Sequence, residues 1–165
     1  MTKTKLTWVE IQHAGYVGVM RQTLALQLGR QPAYGYDNRQ PWEDHVNGAI
    51  AEQAVAKWAG VYWSGMIHER ITLLSDVGAW EVRSKTTAGH KLIVRPDARR
   101  EAAYISVLLD LPHVTICGWI HGGDAMRAQW LRTYDERPPA YFVPDGALHH
   151  EDELLSGKVE QRVAA

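Results

Sequence analysis

The 165-residue chain carries 18 Lys and Arg against 19 Asp and Glu, a formal net charge of −1. That balance excludes a uniformly basic nucleic-acid-coating protein, so any nucleic-acid surface has to be a local patch. A single cysteine excludes an internal disulfide framework and a Cys-rich zinc site, and 45% hydrophobic residues suffice for one packed domain.

Residues 5–11 predict a strand, because Leu6, Trp8, Val9 and Ile11 alternate well enough for one. Residues 15–29 predict a helix with Tyr16, Met20, Leu24 and Leu28 as its apolar positions and Gly29 as its stop. The stretch 30–40 reads as a loop mixing aromatic and basic groups, among them Tyr34, Tyr36 and Arg39. Pro41 opens the clearest helix, over 41–59. Proline is favoured in a first turn, Glu43 and Asp44 suit the positive end of the dipole, and Gly60 ends the helix. A short strand is predicted at 61–63 and a second apolar stretch at 71–74.

Strands follow at 79–85, 91–95, 103–110 and 113–120. The first two predict a hairpin around Thr86–His90, and Asp110-Leu-Pro-His113 turns the second pair. The last two strands are apolar nearly throughout, as expected of central strands covered on both faces. Cys117 falls in one of them and reads as a small core residue. Asp124 predicts the N-cap of a short helix reaching about Leu131, and Tyr141-Phe-Val-Pro144 a last edge strand. Residues 1–150 read as a single domain and 151–165 as a polar, frayed tail. No signal peptide or membrane span is legible, and the chain reads as cytoplasmic. The expected class is α/β (α+β), a central mixed β-sheet flanked by helices.

Three carboxylates carry the chemical argument. On a helical wheel Glu52 lies among Gly48, Ala49, Val55, Ala56 and Ala59, a small-residue face that can approach a sheet closely. A carboxylate buried there needs a metal, or an Arg or His partner. Asp76 precedes Val77-Gly78, and the glycine allows an irregular backbone just before a strand. On that strand, alternation sets Glu81, Arg83 and Lys85 on one face and Trp80, Val82 and Ser84 on the other. Each feature has a plain structural reading as a paired helix Glu, a turn, and a solvated strand face. Together they form the residue inventory for holding a hard divalent cation beside a phosphate.

Helix, strand and further strands with Glu52, Asp76 and Glu81-Val-Arg83 resemble the PD-(D/E)xK nuclease superfamily, and the wider wording resembles small phage and prophage proteins. The resemblance covers roughly residues 34–148 and implies a restriction-endonuclease-like core. It further implies Mg²⁺ or Mn²⁺ held by Asp76 and Glu81, with Glu52 completing the cage and the Val82 carbonyl contributing. The implied activity is metal-dependent hydrolysis of DNA, with RNA as a second substrate class. The departure is Arg83, which stands where the superfamily has Lys. Arginine grips phosphate but cannot act as a base, so Lys85 or Lys91 would have to take the lysine's role. Tyr36, Arg39, Lys91 and Arg95 are the expected nucleic-acid-binding residues. Two rival readings stand beside this one. The first is a phage accessory protein of the same fold that binds DNA or a host protein without cutting. The second is an interaction protein whose seven Trp and seven Tyr build a protein interface, a homodimer included.

Overall fold

In the computed structural model, the described residues are 1–30, 41–67, 75–134 and 137–156. Strand β1 (Thr2–Lys5) leads into helix α1 (Trp8–Gln27), and helix α2 (Pro41–Ala59) follows. Then come strands β2 (Trp80–Lys85), β3 (Leu92–Val94), β4 (Ala103–Asp110) and β5 (His113–His121). A single helical turn, α3 (Gly122–Ala125), precedes strands β6 (Leu131–Arg132) and β7 (Ala140–Val143). The fold is mixed α+β. Its central sheet has the order β1-β5-β4-β2, and a second sheet the order β3-β7-β6. The central sheet is mixed, because β2 runs parallel to β4 while the other pairs are antiparallel. Among the described residues no helix is long and apolar enough to cross a membrane.

The predicted strand over 5–11 is a correction. Thr7 and Glu10 form a capping box: Glu10 N donates to Thr7 Oγ1 at 3.2 Å, and Thr7 N donates to Glu10 Oε2 at 2.6 Å. The helix therefore starts at Trp8 and the strand stops at Lys5. Both long helices end as expected at Gly29 (φ +61°) and Gly60 (φ +62°). In each, the residue after the glycine reaches five positions back, Arg30 N to Ala25 O and Val61 N to Ala56 O, which closes the last turn. Residues 61–63 form no strand, and the apolar stretch at 71–74 lies outside the described residues.

The predicted hairpin of the strands at 79–85 and 91–95 does not form. β2 pairs with β4 in register Trp80↔Ala103 to Lys85↔Leu108, and β3 joins β7 in the other sheet. Residues between β2 and β4 thus serve as the crossover that a parallel pair requires. The β4–β5 hairpin forms as expected. Asp124 is no cap: His121 occupies that position without a side-chain bond, and the α-turn ends at Ala125 before a separate 3-10 turn at Ala128–Trp130. β7 lies in the middle of its sheet, not at an edge. Residues 151–156 are helical, with Glu151 1% exposed and Leu154 and Leu155 against the core.

Both central strands are covered on two faces, as their continuous apolar runs predict. Ile105, Val107, Leu109, Val114 and Ile116 pack under α1 and α2 with Val55, Trp80 and Val82. Tyr104 and Ile120 pack against Leu92, Val94 and Val143 of the second sheet. A bulge between Ser106 and Val107 leaves Cys117 as the extra residue opposite, which is why Ile116 and Ile120 reach different cores.

The helices meet at backbone contact. A Cβ on Gly18 would fall 2.5 Å from Val46 Cα, so only glycine lets α1 lie this close to α2. Gly18→Ala is expected to lower the stability measured by urea unfolding by roughly 1–3 kcal/mol, the cost of overpacking a rigid contact. An unchanged midpoint would refute the close approach.

Candidate functional site

The helix contact at Gly18 brings Arg21, one turn on, to Glu52. Arg21 Nη1 and Nη2 donate to Glu52 Oε1 and Oε2 at 2.6 and 2.8 Å, a two-pronged pair. Trp63 Nε1 donates to Oε2 at 3.0 Å, and Arg21 Nε holds Met66 O at 3.1 Å. Glu52 is 5% exposed, so the sequence argument that it needs a partner holds, and the partner is an arginine.

Asp76 is positioned by its turn. Val77 and Trp80 exchange backbone bonds of 3.1 and 3.0 Å around Gly78, whose φ is +60°. The chain thereby folds back along the open edge of β2, and Asp76 Oδ2 accepts from Val82 N at 2.8 Å. An edge donor without a strand partner among the described residues is thus satisfied by a carboxylate. Beside it, Glu81 is held from two sides: Arg83 Nη2 donates to Oε2 at 3.2 Å, and Arg99 Nη2 donates to Oε1 at 2.6 Å and to Ser75 Oγ at 2.7 Å. Arg99 reaches this point because Gly122, with no side chain, lets the Arg99 carbonyl pack against it.

Arg83 is the centre of the arrangement. Its Nη1 lies 3.3 Å from Asp76 Oδ2 and 2.8 Å from Val82 O, while Nη2 reaches Glu81. The carbon of its guanidinium sits 5.3 Å from the centre of the Tyr104 ring. Asp76, Glu81 and Val82 O, the oxygens that the resemblance assigns to a metal, therefore converge on one positive charge. Burial first, then the Glu52 and Glu81 charges, push the Asp76 carboxyl up to about 6. Arg83, with a side chain 41% exposed, and the Val82 N–H pull the other way and do not prevail.

Lys85 shares the strand face of Glu81 and Arg83 but is committed elsewhere. Its Nζ lies 2.7 Å from both carboxylate oxygens of Asp145 and 2.9 Å from His90 O, in a residue 8% exposed. Lys91 and Arg95 line a cleft of about 900 Å³ between the start of α2, β2 and the second sheet. Arg83 and Lys85 reach the same cleft, as do Arg132 and Arg137, against Glu43 and Asp44 from α2. Tyr36 and Arg39 lie outside the described residues. The structure thus brings together Asp76, Glu81 and Arg83, sets Glu52 beside them on Arg21, and leaves Lys85 on Asp145. Among the described residues no group of three or more His, Cys, Asp and Glu side chains is arranged to hold a metal ion.

Arg21, Trp63, Arg99 and Asp145 were missing from the sequence reading of the site. Arg99 stands next to Arg100 in the sequence, and in the structure its Nη2 holds Glu81 and Ser75. No protein-family model matches this chain, and neither a curated protein nor a solved structure shows significant similarity to it.

Proposed function

We propose that this chain binds nucleic acid and hydrolyses its phosphodiester bonds with Mg²⁺ or Mn²⁺ at Asp76 and Glu81, on a restriction-endonuclease-like arrangement of helix and mixed sheet. The observation that carries the reading is the convergence of Asp76 Oδ2, Glu81 Oε2 and Val82 O on a single cation, the Arg83 guanidinium. Hard oxygen donors of this kind suit Mg²⁺ or Mn²⁺, and Mg²⁺ characteristically takes one or two carboxylates and fills its shell with water and phosphate. The raised Asp76 carboxyl is compatible with the same fit: burial is the main cause of the rise and the nearby Glu52 and Glu81 charges add to it, and a cation held there would offset both. A divalent ion held there supplies Lewis-acid polarisation and an acidified water.

The chain's own residues do the rest. Asp76 and Glu81 hold the positive charge, and Arg99 with Ser75 fixes the Glu81 carboxylate. Arg83, released from Val82 O, grips a phosphate through its planar fork. Glu52 orients nothing directly; on Arg21 and Trp63 it adds negative charge beside Asp76.

A second reading, binding without cleavage by a phage accessory protein, is favoured by Lys85. Its amine is bound to Asp145, and Arg83 cannot act as a base. Incubation of purified protein with DNA and RNA, with Mn²⁺, Mg²⁺ or EDTA, separates the two. Cleavage that requires metal and falls at least about 100-fold in Asp76→Ala and Glu81→Ala is the expected result. No cutting of any substrate, alongside salt-sensitive binding, would sink the hydrolase and leave the second reading.

A further inference from the structure

The cleft beside Arg83 combines three things: cations from the second-sheet side, an exposed aromatic ring, and a limited volume. Lys91 and Arg132 are exposed, and Arg95 and Arg137 line the same wall. Tyr134, 51% exposed, sits among them and is braced edge-on by Phe142, with ring centroids 5.0 Å apart at 86°. The α2 side is acidic, with Glu43 and Asp44. A volume of about 900 Å³ lies near the upper end of the roughly 300–1,000 Å³ typical of sites for small ligands. That is room for a short run of one strand and not for a duplex.

We propose that this cleft takes a single-stranded segment of nucleic acid, its phosphates against the Lys91 and Arg132 wall and one base stacked on Tyr134. The inference rests on the reading of the chain as a nucleic-acid protein and names the form of its ligand. A flat ring held at a fixed angle by a second aromatic loses little freedom when a base stacks on it, and stacking tolerates any base. The acidic α2 side keeps the phosphate backbone to the basic wall. An acidic peptide would use the same cations but has no use for Tyr134.

The test is fluorescence anisotropy in EDTA, which prevents cleavage, using labelled oligodeoxythymidine of about 12 nucleotides, within the roughly 4–16 nucleotides such sites cover. Oligouridine, a duplex of equal length and poly-glutamate are the comparison ligands. Tyr134→Ala is expected to weaken single-strand binding by about 5- to 100-fold, the usual effect of losing one base–aromatic stack. Tyr134→Phe is expected to bind like the parent, and an unchanged melting curve for Tyr134→Ala would show that its fold is intact. Oligouridine binding as tightly as oligodeoxythymidine supports the same site for RNA. Duplex binding as tight as single strand, equal competition by poly-glutamate, or no effect of a folded Tyr134→Ala overturns the proposal. Metal-dependent duplex cutting without Tyr134-dependent strand binding would remove this inference and leave the hydrolase standing. Tyr134-dependent strand binding in a protein that cuts nothing would do the reverse.

Discussion

Replacing Glu52 with alanine is expected to lower the stability of the chain by about 3–5 kcal/mol, the usual cost of breaking a buried ion pair from one side. The side chains of Arg21 and Glu52 are 14% and 6% exposed, so neither partner can turn to water when the other is removed. Trp63 Nε1 loses its acceptor at the same time. Among the described residues, Arg21 keeps the Met66 carbonyl, at 3.1 Å, as its hydrogen-bond acceptor. The double replacement Arg21→Met with Glu52→Leu removes both charges and is expected to recover most of the loss, because an apolar pair of similar volume avoids the desolvation cost. Urea unfolding of the four proteins measures this. A loss below about 1 kcal/mol for Glu52→Ala would mean that the arginine does not hold this carboxylate, and would return Glu52 to the metal-ligand role that the sequence resemblance implies.

Asp76→Asn is expected to stabilise the chain above pH 6 and to change little near pH 4. The folded-state carboxyl lies at about 6, against an ordinary value of 3.8. A carboxyl raised in this way contributes its full stability below the unfolded value. That contribution is lost as pH rises through the folded one. That rise corresponds to at most about 3 kcal/mol once Asp76 is ionised. Asparagine removes the charge and keeps an oxygen for the Val82 N–H. A gain of about 1–3 kcal/mol at pH 7.5, shrinking towards zero at pH 4.5, is therefore the expected pattern in urea unfolding. A gain that is the same at both pH values would show that Asp76 does not titrate in this range. Added Mn²⁺ should raise the melting temperature of the parent above pH 6 and leave Asp76→Asn unmoved, because only an ionised carboxylate rewards the cation.

The elements that read most plainly were those with local punctuation. Pro41, Gly60 and Gly29 mark helix ends through backbone geometry alone. The start of α1 was misread because Leu6, Trp8, Val9 and Ile11 satisfy strand alternation, while the Thr7–Glu10 capping box decides for helix. Residues 103–110 and 113–120 declared themselves as buried strands by being apolar without a break. Their partners did not. The short separation of β2 from β3 favours a hairpin locally, whereas Leu92 and Val94 bury themselves in the second core and leave β4 beside β2. The site divides in the same way. Strand alternation put Glu81 and Arg83 side by side, and the Asp-Val-Gly turn put Asp76 next to them. The groups that fix them lie far off along the chain: Arg99 is 18 residues from Glu81, Arg21 is 31 from Glu52, and Asp145 is 60 from Lys85. Pairings at such separations leave no periodic trace in a single sequence.

The part-buried Lys85–Asp145 pair has one more consequence. Lys85 ends a strand that β4 grips along its whole length, while Asp145 opens the turn just after β7 in the second sheet. The pair is a rivet through two sheets, set beside the cleft where each contributes a wall. The two walls are therefore tied together along the Lys85 side. A ligand that widened the cleft on that side would have to break the Lys85–Asp145 contacts of 2.7 Å.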